Sequence, residues 1–233
     1  MKINLFYISL LFFVSYNSNS QRISDIVDPF SSNTTLFKNS NQNKTALNKI
    51  EGSPYLIEEF RSASISGIAQ KLMIRYNAFT DIIEVQNENK ELFSLTKSNP
   101  FNNIEIVLIP NKIKLINYLA KGNAFFGYLF EIYNQENLAL YRRDRITLKK
   151  GKEASNSYQV ATETMYVKEN VEYYISFKNE TALQMVKNKK ELEAIFPNHK
   201  QEIEIFLKNN NYSFKKEQDL IEIAKFITTL IIK

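Results

Sequence analysis

Residues 50–178 alternate between apolar and polar positions in short runs, and this period of two predicts β-strands. In the clearest runs the apolar members are Leu72, Ile74 and Tyr76, then Ile104, Ile106 and Leu108. The run from Phe125 to Tyr133 is apolar on nearly both faces, which is typical of a central strand. The pair Glu169-Asn170 lies between two apolar runs and predicts a tight hairpin. We therefore expect roughly eight to ten strands in an antiparallel β-meander, folded as a barrel or a sandwich.

After Asn179 the apolar spacing changes to that of α-helices. The strongest match is the last segment, which places six apolar residues on one face: Leu220, Ile223, Ala224, Ile227, Leu230 and Ile231. Two shorter helices, separated by Pro197, precede it, so the helical region covers residues 187–233. A helix with such an apolar face packs on the sheet or on a partner protein. The chain is thus predicted to be α+β, with an antiparallel β-domain at 50–178 and a three-helix C-terminal region.

The first twenty residues have the pattern of a secretory signal peptide. Lys2 is followed by an apolar run, Ile3 to Val14, and then by the small residues Ser18 and Ser20. This order of charge, apolar core and cleavage site is typical of exported chains, and the run is too short to span a bilayer. We expect residues 1–20 to be removed, leaving no integral membrane segment. The location would be the periplasm, the outer-membrane periphery or the extracellular space.

Residues 21–49 are rich in Ser, Asn, Thr, Lys and Gln and show no sustained period, which predicts a flexible leader. The whole chain has no cysteine, one histidine (His199) and five widely separated glycines. Thiolate and paired-histidine metal sites are thereby excluded, as are glycine-rich phosphate loops, and no cofactor is expected. We find no catalytic motif and predict a non-enzymatic binding or interaction protein of the cell envelope.

Basic residues concentrate in one stretch that we interpret as a hairpin, 142–152. Its cations are Arg142, Arg143, Arg145, Lys149, Lys150 and Lys152. This hairpin would make the protein a polyanion-binding module, with an anionic glycan or lipid as partner rather than nucleic acid. Alternation would place Arg142 and Asp144 on one face and Arg143 and Arg145 on the other. A charged hairpin end that only keeps the protein soluble is the alternative interpretation.

The segment Gly52–Phe60 opens the predicted domain and is a second candidate for contact with a ligand or an envelope protein. Tyr55 supplies an apolar anchor, and Arg75 would pair with Glu58 or Glu59 across neighbouring strands. The alternative is an edge strand that closes the sheet.

Paired carboxylates are the one catalytic device that the composition allows, which leaves a carboxylate-dependent hydrolase as a further alternative. The candidate residues are Glu58, Glu59, Asp81 and Glu84. Glu84, however, lies between Ile83 and Val85 in a predicted strand, an ordinary position on the solvent face.

Four parts of the chain together resemble a group of uncharacterised exported proteins of Bacteroidetes, chiefly flavobacteria. These parts are the apolar leader ending in Ser20-Gln21, the segment Gly52–Phe60, Arg75-Tyr76-Asn77 with Ile83-Glu84-Val85, and the tail from Lys189 to Leu230. The resemblance covers most of the mature chain and implies export to the periplasm or the outer-membrane face. It implies no reaction, because no known chemistry is attached to these motifs.

Overall fold

A computed structural model of the chain describes residues 37–39, 50–135, 137–152 and 162–232. The predicted signal peptide at 1–20 and most of the predicted leader lie outside these residues. The described strands are β1 (Phe37–Asn39), β2 (Arg61–Ile65), β3 (Leu72–Asn77), β4 (Ile82–Gln86), β5 (Leu92–Leu95), β6 (Asn103–Ile106), β7 (Lys112–Ala120), β8 (Asn123–Gln135), β9 (Leu138–Arg143), β10 (Ile146–Lys149), β11 (Met165–Lys168), β12 (Glu172–Phe177) and β13 (Leu183–Gln184). The helices are α1 (Lys189–Ile195), α2 (Lys200–Asn210) and α3 (Glu217–Ile232).

Eleven of these strands form one curled antiparallel sheet, in the order β1-β5-β4-β3-β2-β6-β7-β8-β9-β12-β13. Two four-stranded meanders, β2 to β5 and β6 to β9, are joined edge to edge where β2 pairs with β6. Strands that are consecutive in sequence are neighbours within each meander, so short turns connect them. The predicted α+β class with an antiparallel sheet and three C-terminal helices is confirmed. Residues 37–39 of the leader region contribute the edge strand β1, which pairs with β5.

The C-terminal half of the sheet curls until it meets itself. After β13 pairs with β12, the neighbouring residue Ala182 bonds to β7: the Leu119 N–H donates to the Ala182 carbonyl at 2.8 Å, and the Ala182 N–H donates to the Asn117 carbonyl at 2.9 Å. The strands β7, β8, β9, β12 and β13 therefore form a ring of hydrogen-bonded neighbours. The side chains that share its inner face form a buried cluster: Tyr118, Ala120, Leu129, Ala139, Tyr141, Tyr174 and Ala182.

The helices pack on this same chain, on the outer face of the ring. Ile223, Ala224 and Ile227 of α3 are buried against Leu140 of β9 and Ile175 of β12. The apolar stripe predicted for the last helix is therefore the face that covers the sheet. A third buried cluster is shared by the two meanders and is built mostly from β-branched and aromatic residues. In the part of the chain that the structure describes, no helix is long and apolar enough to span a bilayer.

Two hairpin predictions are wrong. Arg142 and Arg143 end β9, which pairs with β12, whereas β10 pairs with β11 in a separate two-stranded sheet. The stretch 142–152 is therefore not a hairpin: it runs from the end of β9 through a two-residue link into β10 of the second sheet. The pair Glu169-Asn170 likewise links β11 to β12, which belong to different sheets. Turn residues indicate where the chain reverses, but the pairing partner of a strand depends on distant residues.

The segment Gly52–Phe60 does not form the edge strand that was one interpretation of it. It makes only an isolated bridge, between Tyr55 and Asn77, and the sheet of this region begins afterwards at Arg61. Gly52 has a left-handed backbone with φ of +82°, and Pro54 has no N–H to donate to a ladder. Both residues interrupt strand geometry, so the segment lies across the sheet as an irregular strap.

Candidate functional site

A groove of about 890 Å³ lies at one end of the ring. Five connections meet there: the β7–β8 turn, the β9–β10 link, the β11–β12 link, the chain between β13 and α1, and the loop before α3. Its charged and hydroxyl-bearing lining residues are Lys121, Arg145, Thr147, Glu169, Glu172, Tyr173, Lys187 and Lys215. A cavity of this size falls within the range of small-molecule sites.

Four cations line the groove: Lys121, Arg145, Lys187 and Lys215. All four side chains are exposed, and none makes an ion pair with another described residue. The groove therefore presents positive charge that the described protein does not neutralise. Such a concave surface attracts anions and concentrates them locally.

The backbone holds three of these cations in fixed places. Lys121 and Gly122 form a two-residue hairpin turn with φ of +50° and +80°, the geometry that favours Gly at the second position. The Lys187 N–H donates to the Glu191 carboxylate at 2.8 Å, and the Lys215 N–H donates to the Ser213 hydroxyl at 3.2 Å. These bonds fix the loops that carry the cations while the charged ends stay free.

The two carboxylates of the groove are occupied by contacts within the protein. Glu169 accepts a hydrogen bond from the Thr147 hydroxyl at 2.6 Å. Glu172 accepts from the Arg143 guanidinium at 3.2 Å and from the Tyr174 hydroxyl at 3.0 Å. Burial first, and then Glu172, raise the pKa of Tyr174 above its usual range. The carboxylates thus have internal partners, whereas the groove's four cations remain available to a ligand.

Arg145 is the only sequence-predicted site residue that lines this groove. Its carbonyl accepts the Glu169 N–H at 2.9 Å, which ties the β9–β10 link to the β11–β12 link. Lys149 and Lys150 are exposed at the end of β10, outside the groove.

Arg142 and Arg143 point to opposite sides of β9, as alternation predicted. Arg142 Nε donates to Asp144 at 2.8 Å and Arg142 Nη1 to Glu217 at 3.0 Å. Arg143 bonds Glu172 and lies 5.2 Å from the centre of the Tyr118 ring. Both guanidinium groups are therefore engaged in contacts within the folded protein.

The predicted pairing of Arg75 with the Glu58 or Glu59 carboxylate is wrong. Arg75 Nε and Nη2 instead contact the Glu84 carboxylate at 2.8 and 2.7 Å. From Glu58, Arg75 contacts the backbone carbonyl, at 3.3 Å, and not the carboxylate. The guanidinium lies over the Tyr55 ring at 3.7 Å, and the Tyr55 hydroxyl donates to Glu84 at 3.0 Å. This cluster attaches the strap to the sheet.

The carboxylates suggested for a hydrolase do not converge on a cavity. Glu58 and Glu59 are exposed on the strap, and Glu84 is ion-paired with Arg75 instead of facing solvent. Asp81 accepts hydrogen bonds from Lys97, from the Tyr76 hydroxyl and from the Tyr128 N–H.

His199 bonds Glu202 at 3.3 Å on the helical surface. No group of three or more metal-ligating side chains occurs among the described residues.

Comparison with protein-family models, with curated proteins and with solved structures found no match to this chain. The Bacteroidetes resemblance therefore stays a prediction. Sequence reasoning missed Lys121, Lys187 and Lys215 because single lysines in separate loops carry no motif. Only the curling of the sheet brings them beside Arg145.

Proposed function

We propose that this protein is a non-enzymatic binding protein whose groove takes a ligand with several negative charges. The observation that supports this function is the set of four exposed cations in one cavity, none of them paired with a described residue. Phosphate and sulfate groups are the chemistry that such a cavity selects, because each lysine donates as a point charge and arginine as a planar fork.

The source of these groups is a glycan or a lipid headgroup of the cell envelope. This location follows from the signal peptide predicted at residues 1–20 and forms part of the same proposal. The groove is compact, so one ligand unit rather than a long polymer contributes most of the binding energy. Of the cations in segment 142–152, Arg145 is the one that lines the groove.

Isothermal titration with a heparin-derived tetrasaccharide, a compact sulfated probe, tests the proposed function. Arg145→Gln, Lys187→Gln and Lys215→Gln are each expected to lower affinity about fivefold, since exposed ion pairs contribute up to about 1 kcal/mol. Affinity should also fall with added salt because the charges are solvent-exposed.

Lys149→Gln and Lys150→Gln are matched controls, since they remove the same charge outside the groove. They should change affinity little. Equal losses in control and groove variants would mean that the probe responds to net charge alone. No measurable binding at low salt would remove the groove as an anion site.

A further inference from the structure

The groove that carries the four cations also has an apolar side. Its lining includes three hydrophobic or aromatic residues that are only partly buried, Val171, Tyr173 and Phe214. Tyr173 points away from the interior of the ring, because its neighbour Tyr174 belongs to the inner cluster. Tyr173 and Phe214 both pack against the buried cluster between the ring and α3. The groove therefore opens along the edge of a hydrophobic core.

Two of the four cations border this apolar side. Lys215 directly follows Phe214, and Lys187 directly follows Val186, which also lines the groove. Each lysine therefore places a charged end beside an apolar lining residue.

Hydrogen bonds hold the three chain segments of the apolar side together. The Met185 N–H donates to the Tyr173 carbonyl at 2.8 Å, which ties the segment that carries Lys187 to β12. The Tyr173 hydroxyl donates to Glu217 of α3 at 3.5 Å, and this contact ties β12 to the helix that follows Phe214. The cations and the apolar side chains thus keep fixed positions relative to one another.

This arrangement favours a ligand that is both anionic and apolar. A phosphate group gains charge-assisted hydrogen bonds from the lysines, and a hydrocarbon chain gains from leaving water beside the apolar side chains. A glycan is less suited, since the carboxylates Glu169 and Glu172 already accept hydrogen bonds within the protein. The volume of about 890 Å³ is near the upper end of the range for small-molecule sites and leaves room for a headgroup and part of a chain.

We propose that the groove binds a phosphate-bearing lipid, with its phosphate at Lys187 and Lys215 and its hydrocarbon chain on Val171, Tyr173 and Phe214. This inference rests on the anion-binding function proposed above. It commits the ligand to the lipid rather than the glycan of the cell envelope.

Isothermal titration of the protein with butyl, hexyl and octyl phosphate, each kept below its micelle concentration, tests this ligand class. Affinity should rise by up to about fourfold for each added CH₂ group, because each group that the groove buries contributes to binding. Octyl glucoside has the same chain as octyl phosphate but no charge. It should bind at least about tenfold more weakly than octyl phosphate.

Substitutions separate the two halves of the site. Phe214→Ala should lower the affinity for octyl phosphate about tenfold and leave that for the heparin tetrasaccharide unchanged. Val171→Thr keeps the side-chain shape and should lower the affinity for octyl phosphate about threefold, so it serves as the test if Phe214→Ala does not fold. Lys215→Gln should weaken the binding of all three alkyl phosphates by the same factor.

The matched control is Phe126→Ala, which removes a ring that is 37% exposed on β8 and does not line the groove. It should bind octyl phosphate as the wild type does. The lipid proposal is overturned if butyl and octyl phosphate bind equally, or if Phe214→Ala, shown to be folded by circular dichroism, binds octyl phosphate as tightly as this control. Binding of the tetrasaccharide in that case would leave the proposed function standing. If neither the tetrasaccharide nor octyl phosphate binds, both proposals fail.

Discussion

The side chain of Asp81 forms hydrogen bonds to residues of both meanders. Asp81 follows β3 with a left-handed backbone of φ +56°, and its Oδ1 accepts from the Tyr76 hydroxyl at 2.9 Å and from the Tyr128 N–H at 3.2 Å. Tyr128 belongs to β8 of the second meander. The carboxylate can reach that strand because Gly127 has no side chain. A Cβ at Gly127 would stand 2.5 Å from Asp81 Oδ2.

Gly127→Ala is therefore expected to destabilise the protein, although alanine normally suits a strand better than glycine. The methyl group would displace the Asp81 carboxylate and weaken its bonds to Tyr76, Lys97 and Tyr128. A loss of about 1–3 kcal/mol in the free energy of unfolding should follow. Urea denaturation followed by circular dichroism measures it.

The control for Gly127→Ala is the same change in an Asp81→Gly background, where the carboxylate is already gone and φ of +56° is readily adopted. In that background the alanine should cost less than half as much. A cost equal in both backgrounds would contradict the clash with Asp81 and point to the Tyr118 ring, 3.3 Å from the same Cβ.

At the level of elements, the sequence is informative where the pattern is local. Alternation in Leu72–Tyr76 and the stripe of α3 each record which face of one element is buried, and both are confirmed. Strand pairing is different, because β9 pairs with β12 although β10 and β11 lie between them in the sequence and form a separate sheet. No spacing near Arg142 records that choice, so the local pattern there predicts a hairpin that does not form.

Arg142 joins β9 to the first turn of α3, and we expect Arg142→Gln to affect stability rather than ligand binding. Its removal leaves the Asp144 carboxylate, 4% exposed, with only Lys168 at 3.3 Å as an ionic partner. It also releases Glu217 of α3. A loss of about 2–3 kcal/mol in the free energy of unfolding should follow, measured by urea denaturation.

Arg145→Gln is the control for this element, because Arg145 is exposed and unpaired among the described residues. Its unfolding free energy should stay within about 0.5 kcal/mol of the wild type. If Arg142→Gln unfolds at the same urea concentration as the wild type, the ion pairs between β9 and α3 contribute nothing to stability.

For the molecule as a whole, the composition indicates an excess of basic residues but not where they meet. That excess favours an anionic partner, and of the predicted binding residues Arg145 is the one that lines the groove. Lys121 and Lys215 are 94 positions apart by residue number, and only the closing of the ring at Ala182 and the packing of the helices bring them to one groove. A smaller cavity of about 300 Å³ is likewise lined by asparagines from separate parts of the chain: Asn99, Asn102, Asn117, Asn134 and Asn179.

The buried tyrosines should lower the stability of the whole fold at high pH. Burial is the main cause that raises the pKa of Tyr76, Tyr128 and Tyr174 above their usual range and that of Tyr141 to about 12. The folded state therefore keeps these protons at pH values at which the unfolded chain, whose tyrosine pKa is about 10, releases them. Their contribution to stability is complete below about pH 10 and is lost as the pH rises toward the folded pKa values.

Above about pH 10, the free energy of unfolding should fall by about 1.4 kcal/mol per pH unit for each of these tyrosines. Urea denaturation from about pH 9 to about pH 11, with tyrosinate absorbance recorded in parallel, measures the loss. Surface lysines also lose charge in this range, but added salt screens their ion pairs and leaves burial untouched. The alkaline loss should therefore persist in about 1 M salt. If the tyrosines of the native protein all ionise at about pH 10 without loss of stability, that result would contradict the burial of these hydroxyls.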